Sequence, residues 1–131
     1  PAKEFVELLL AEIDNALNVN GFTLQSFDFN VLRYLNLIRE NSKRFSISVL
    51  IEPEDNNEID FNLEKLGFKP DIWSPNFKVL SLEKVEYLHG LGIKVIPWTV
   101  NTEAEMDKIY AYGCDGLITD YPNRAIKYIK K

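Results

Sequence analysis

Three times along this chain a helical pattern stops at a glycine and an apolar run follows within a few residues. The stops are Gly67 before "DIWSP", Gly92 before "IKVIPWTV" and Gly113 before "DGLIT". Glycine supplies the left-handed turn that ends a helix. Strand, helix and strand joined by such short connections close as right-handed crossovers, which leaves the strands parallel in one sheet. Two earlier strands, "FTLQSF" and "RFSISVLIE", flank the helical "NVLRYLNLIREN", whose Leu32, Leu35 and Ile38 share a face. About five parallel strands result. The fold class is therefore α/β, either an open doubly wound sheet or part of a (β/α)₈ barrel.

Composition narrows the partners. The chain has 131 residues, the size of one domain, with 46% apolar and 27% charged residues, as in a soluble globular protein. Its net charge of −5 and scattered cations argue against nucleic acid, which requires a basic face. The basic tail "KYIKK" suits a helix C-terminus. The single cysteine, Cys114, rules out an internal disulfide and reads as a small buried residue. No apolar run reaches membrane-spanning length. The opening "PAKEFVELLLAEIDNAL", ended by Gly21, reads as an amphipathic helix and not a signal peptide.

Neither G-x-G-x-x-G nor a phosphate-cradling G-x-x-x-x-G-K-[ST] occurs, so a dinucleotide site is not expected. The loops after the strands are polar and aromatic instead: "SFDF", "EPED", "SPNF", "TVNT" and "TDYP". Active sites of barrels form where such loops converge, beyond the carboxyl ends of the strands. Ser81 is an expected helix N-cap, and Thr102 with Glu105 has capping-box spacing.

"SFD" after one strand, "PWTVNT" after another and "DGLITDYP" near the end together resemble the C-terminal portion of glycerophosphodiester phosphodiesterases. The resemblance extends from about "FTLQSFDF" to "DYPNRA", and the pair WTVN and GLITDYP is its specific part. It implies a TIM (β/α)₈ barrel that hydrolyses glycerophosphodiesters to glycerol 3-phosphate and an alcohol, in lipid and glycerol metabolism, with a divalent cation (Ca or Mg). The family's catalytic histidines lie in HRG and HD motifs and its metal ligands in an ExD motif; here there is no HR pair, no HD pair and no ExD that ends a strand. The resemblance thus implies that residues 1–131 are a partial domain of about five βα units. The N-terminal strands, both histidines and the metal site would then lie upstream of Pro1. This chain alone would bind no cation and be inactive. The only histidine, His89, ends a helix and so belongs at the bottom of a barrel, away from chemistry.

Trp98 is the expected substrate-binding residue, since its strand ends there and the resembling family's tryptophan lines the pocket. Ser26 and Phe27, after the first strand, border the same pocket as donor and packing surface. Asn101 stands where either a helix N-cap or a ligand-contacting amide belongs. Asp120 is expected to brace its own turn, Glu52 to end its strand near the cleft, and Trp73 is equally compatible with pocket or core. The glycerophosphodiester substrate apart, the expected partner is the missing N-terminal half or a second copy. It would cover open sheet edges and an apolar inner face lined or backed by Val49, Ile51, Ile72, Val95, Ile96, Leu117 and Ile118. Two other readings are a non-catalytic barrel-fragment module for binding or assembly, and a small open-sheet protein.

Overall fold

The computed structural model describes residues 3–5, 7–9, 22–39, 45–53 and 58–129. Residues 3–5 and 7–9 are helical; the remainder of the expected first helix, with Gly21, lies outside the described residues. β1 (Phe22–Ser26), β2 (Phe45–Ile51), β3 (Ile72–Pro75) and β4 (Lys94–Val95) pair in that order, every pair parallel. Helices α1 (Phe29–Arg39), α2 (Ile59–Leu66) and α3 (Leu82–Gly90) are the crossovers, followed by α4 (Glu103–Ala111) and α5 (Pro122–Ile129). Parallel strands alternating with helices give the α/β arrangement of TIM-barrel proteins.

The expected local signals form as read. Gly67, Gly92 and Gly113 have φ of 86°, 79° and 80°, where a Cβ is strained. At Gly67 the freed N–H bonds Leu63 O at 3.0 Å, closing α2. Ser81 Oγ accepts the Lys84 N–H, and Thr102 and Glu105 complete a reciprocal capping box on α4. One cap was not foreseen. Asp28 Oδ1 accepts from the N–H groups of Asn30 at 2.8 Å and Val31 at 3.4 Å, starting α1 directly behind β1.

Strand alternation sorts the sheet into two faces. Phe45, Ile47, Val49, Ile51, Trp73 and Val95 belong to the core cluster with Leu32, Leu35, Leu66, Val85, Leu88, Met106 and Ile109 of the helices. Fully burying side chains of this size contributes roughly 1.5–3 kcal/mol each. The opposite face carries Thr23, Gln25, Ser46, Ser48, Leu50, Ile72, Ser74, Lys94 and Ile96, which share faces by register. Val49, Ile51 and Val95 therefore face the helices, and the inner face is more polar than its neighbours in sequence imply. Trp73, 3% exposed, is core.

Two prolines shape the far side of the sheet. Main-chain bonds from Lys94 N to Asp71 O, Ile96 N to Trp73 O and Trp98 N to Pro75 O, each 3.0 Å, extend the β3–β4 pairing beyond the short ladder. The next donor, for Ile96 C=O, is due from residue 75, and proline has no N–H. The buried Ser74 hydroxyl donates to that carbonyl instead. Pro97 has the same effect on the other side. Asp115 N donates to Val95 O and Ile118 N to Pro97 O, both at 2.9 Å, so "DGLIT" runs beside β4. Position 97 returns no donor to it, and Asp115–Thr119 remains an extended segment where a regular fifth strand was expected.

At the amino ends of the strands one device occurs twice. Asp71 N donates to Ile47 O at 3.0 Å, and Asp71 Oδ2 accepts the Ile47 N–H at 2.8 Å. Asp115 N and Oδ2 treat Val95 identically, at 2.9 and 2.8 Å. A side chain from a preceding helix end meets each carboxylate: Arg39 pairs with Asp71, and His89 Nε2 lies 2.7 Å from Asp115 Oδ2. His89 thus sits at the bottom of the sheet in a structural bond.

Candidate functional site

The opposite, carboxyl end of the sheet gathers the aromatic and polar residues. Trp98 is held there by its backbone, which bonds Pro75 O through its N–H and Phe77 N through its carbonyl, at 3.0 and 2.8 Å. Its indole N–H donates to Ser74 O at 2.8 Å. The ring therefore lies back over β3, above the inner face. The Trp98–Thr99 peptide bond is cis.

Phe27, just past β1, meets Trp98 edge to face, with centroids 5.7 Å apart and planes at 89°. β1 and β4 are the outermost strands of the four, and a flat sheet would hold them about 14 Å apart. The contact exists because the sheet curls toward its inner face, as a barrel wall does. An edge-to-face pair adds about 0.5–1.5 kcal/mol beyond area burial. Ser26 Oγ accepts the Asp28 N–H at 2.9 Å, which shapes the turn presenting Phe27. By register Ser26 pairs with Val49 and shares its helix-facing side, so it shapes the turn while Phe27 borders the inner side.

Asn101 is not the N-cap of α4; Thr102 is. Asn101 Oδ1 accepts from Thr119 Oγ1 at 3.1 Å and Asp120 N at 3.0 Å, while its Nδ2 donates to Asp120 Oδ2 at 3.0 Å. Its N–H donates to Glu105 Oε1 at 3.1 Å, and its carbonyl accepts from Arg124 Nη1 at 2.8 Å. Asp120 therefore braces a neighbouring loop, and within the turn expected of it Thr119 Oγ1 accepts the Tyr121 N–H at 3.0 Å. Hydrogen bonds from the Thr102 and Asn101 N–H groups hold the Glu105 carboxyl below its ordinary pKa. Arg124 also stacks 4.1 Å over the Tyr121 ring.

The donor set tests whether a divalent cation fits. Such ions take several oxygen ligands at once. Among the described residues no three His, Cys, Asp or Glu side chains gather. At this rim Asp28 caps α1 and Asp120 is bound to Asn101, and Glu52 is exposed at the end of β2. The described residues do not compose a cation site. Cys114, partly buried and packed against the core, has its thiol pushed up to about 12 by burial, with the Asp115 charge adding to it, which disfavours the thiolate. No helix among the described residues is long and apolar enough to cross a membrane.

A curled parallel sheet with an aromatic and polar rim at the carboxyl ends of its strands is the arrangement of (β/α)₈ proteins, a class whose sites form at that rim. The glycerophosphoryl diester phosphodiesterase family matches residues 2–124, and the chain belongs to that family. Among curated relatives, glycerophosphodiester phosphodiesterases of Bacillus subtilis and Caldanaerobacter subterraneus are 37% and 39% identical over 49 residues. Each match covers 37% of this chain, and 17% and 20% of the relatives. A phosphodiesterase of Oleispira antarctica, solved with the product sn-glycerol-3-phosphate, superposes with TM-score 0.76 at 17% identity. It covers 99% of this chain and 51% of its own. A putative glycerophosphoryl diester phosphodiesterase of Silicibacter pomeroyi gives TM-score 0.73 at 26% identity, covering 94% and 42%. The chain thus spans about half the length of these solved structures.

Sequence reasoning named Ser26, Phe27, Trp98 and Asn101, and the structure brings Phe27 and Trp98 into contact while Asn101 joins two loops. It missed Ser74. The signal was present, since a serine beside Pro75 in a central strand is placed to replace the missing donor.

Proposed function

We propose that this chain is the C-terminal portion, residues 1–131, of a metal-dependent phosphoric diester hydrolase. That enzyme releases glycerol 3-phosphate and an alcohol from glycerophosphodiesters. The portion closes the barrel and supplies one wall of the substrate pocket. The observation that carries this reading is the Phe27–Trp98 pair at the carboxyl end of the sheet, within a chain whose family match covers residues 2–124.

The chemistry divides accordingly. Phosphodiester cleavage needs charge neutralisation at the phosphoryl group and a proton for the leaving oxygen. The only histidine is tied to Asp115 at the opposite end of the sheet and no cation-binding cluster forms among the described residues, so this reading assigns acid–base catalysis and cation binding to other parts of the enzyme. A bound divalent cation would supply the charge neutralisation. What this chain contributes is shape. Trp98 and Phe27 present apolar faces to the carbon skeleton of the substrate, and Asn101 holds the loop. The solved Oleispira antarctica relative holds sn-glycerol-3-phosphate, which supports the glycerophosphodiester class. The N-terminal strands of the barrel, or a second copy, cover the inner face and the open sheet edges. An assay on a longer product of the same coding sequence is decisive. Cation-dependent release of glycerol 3-phosphate supports the reading, and its absence from a folded product containing an HRG strand refutes it.

A further inference from the structure

The two motifs that single out this family meet at one residue, and its bonds are not those of a ligand. An asparagine offers a main-chain N–H and C=O, two side-chain acceptor sites and two side-chain donors. Asn101 uses its main-chain N–H on Glu105, its carbonyl on Arg124, both Oδ1 positions on Thr119 and Asp120, and one Nδ2 hydrogen on Asp120. A single hydrogen remains. The same loop is pinned beside Asn101 by Val100 N to Ile118 O at 2.8 Å.

We infer that Asn101 is a positioning residue that locks the loop bearing Trp98 to the "TDYP" loop, making one rigid rim of the two. Asp120 is the other half of the lock. Both Asn101 and Asp120 lie where an exposed rim would otherwise be loose, since Asp115–Thr119 lacks a regular ladder to β4. The bonds replace the register that Pro97 removes. Trp98 lies three residues upstream of Asn101, so releasing the lock frees the loop that aims its ring. The inference takes from the proposed function only that Trp98 is the wall that must be aimed.

A reciprocal exchange tests it in the 131-residue chain without substrate. Asn101→Asp keeps both acceptor bonds but sets a carboxylate against Asp120, where like charges repel. Asp120→Asn alone keeps an oxygen for the Asn101 amide and changes little. The two together restore a donor–acceptor pair with its direction reversed. Acrylamide quenching of tryptophan emission reads the result, because Trp98 is half-buried and Trp73 buried. The expected result is a rise in the quenchable share of emission for Asn101→Asp at pH 7, with return to the parent value in the double variant. If Asn101→Asp unfolds the chain, refolding of the double variant carries the same meaning. Unchanged quenching in the single variant, or equal disruption in single and double, overturns the lock. Because no turnover is measured, a failed lock is distinguishable from a failed pocket assignment.

Discussion

Phe27 and Trp98 touch edge to face at 5.7 Å although two strands separate the strands that carry them. The contact reports the curl of the sheet and puts an aromatic pair at its carboxyl end. In the longer protein, Trp98→Ala is expected to lower kcat/KM, at a cost on the order of 1–3 kcal/mol in transition-state binding. Phe27→Ala, at a residue 47% exposed, should lower it less. Steady-state kinetics beside thermal melting check this. Unchanged kinetics with a large fall in Tm would make Trp98 a core residue.

The 131-residue chain itself is expected to show no turnover of glycerophosphocholine or a chromogenic phosphodiester, with or without Ca²⁺ or Mg²⁺. The reason is the absence of a cation-binding cluster among the described residues and the engagement of His89 by Asp115. Turnover that depends on added cation would reverse the assignment of catalysis to residues outside it.

Asp115 holds the Val95 N–H, and Val95 is fully buried, so truncation leaves a donor without a partner. Asp115→Ala should destabilise by about 1–3 kcal/mol, and Asp71→Ala by a similar amount through Ile47. His89→Ala removes only the half-exposed partner and should cost less. Urea unfolding of the three variants orders them.

Glu105 contributes through its charged form. Its folded pKa lies below the ordinary value because the Thr102 and Asn101 N–H groups bond the carboxylate. Stability from this source is therefore present above the ordinary glutamate pKa and is lost as pH falls through the lowered folded value. Glu105→Gln is expected to flatten that part of the acid limb in pH-dependent unfolding. An identical acid limb in parent and variant would assign the loss to other carboxyls.

The face carrying Thr23, Gln25, Ser46, Leu50 and Ile96 lies opposite the face that packs into the core with the helices α1–α4. With the segment Asp115–Thr119 at one edge and β1 at the other, the chain is expected to associate, with its N-terminal half or with itself. Sedimentation equilibrium at tens of micromolar checks this. A monomer with sharp melting would favour a small open-sheet protein.

The order of elements was legible in sequence because its determinants are local. Gly67, Gly92 and Gly113 mark left-handed turns, Ser81 and Thr102 cap helices, and apolar periodicity marks the buried faces. The motifs around Trp98 and Asp120 were legible for the same reason, each lying in one short stretch. The tertiary structure decided what those residues touch. Phe27 and Trp98 are 71 positions apart in sequence numbering and meet only because the sheet curls. Whether Asn101 caps a helix or ties two loops depends on a segment 19 residues away. Which face Val49 and Val95 occupy follows from strand register, and register is set by pairing partners, not by composition. Pro97 reads locally as a break in a strand. Its consequence, a fifth segment without a regular ladder, falls on the neighbour, because a backbone donor serves the strand beside it.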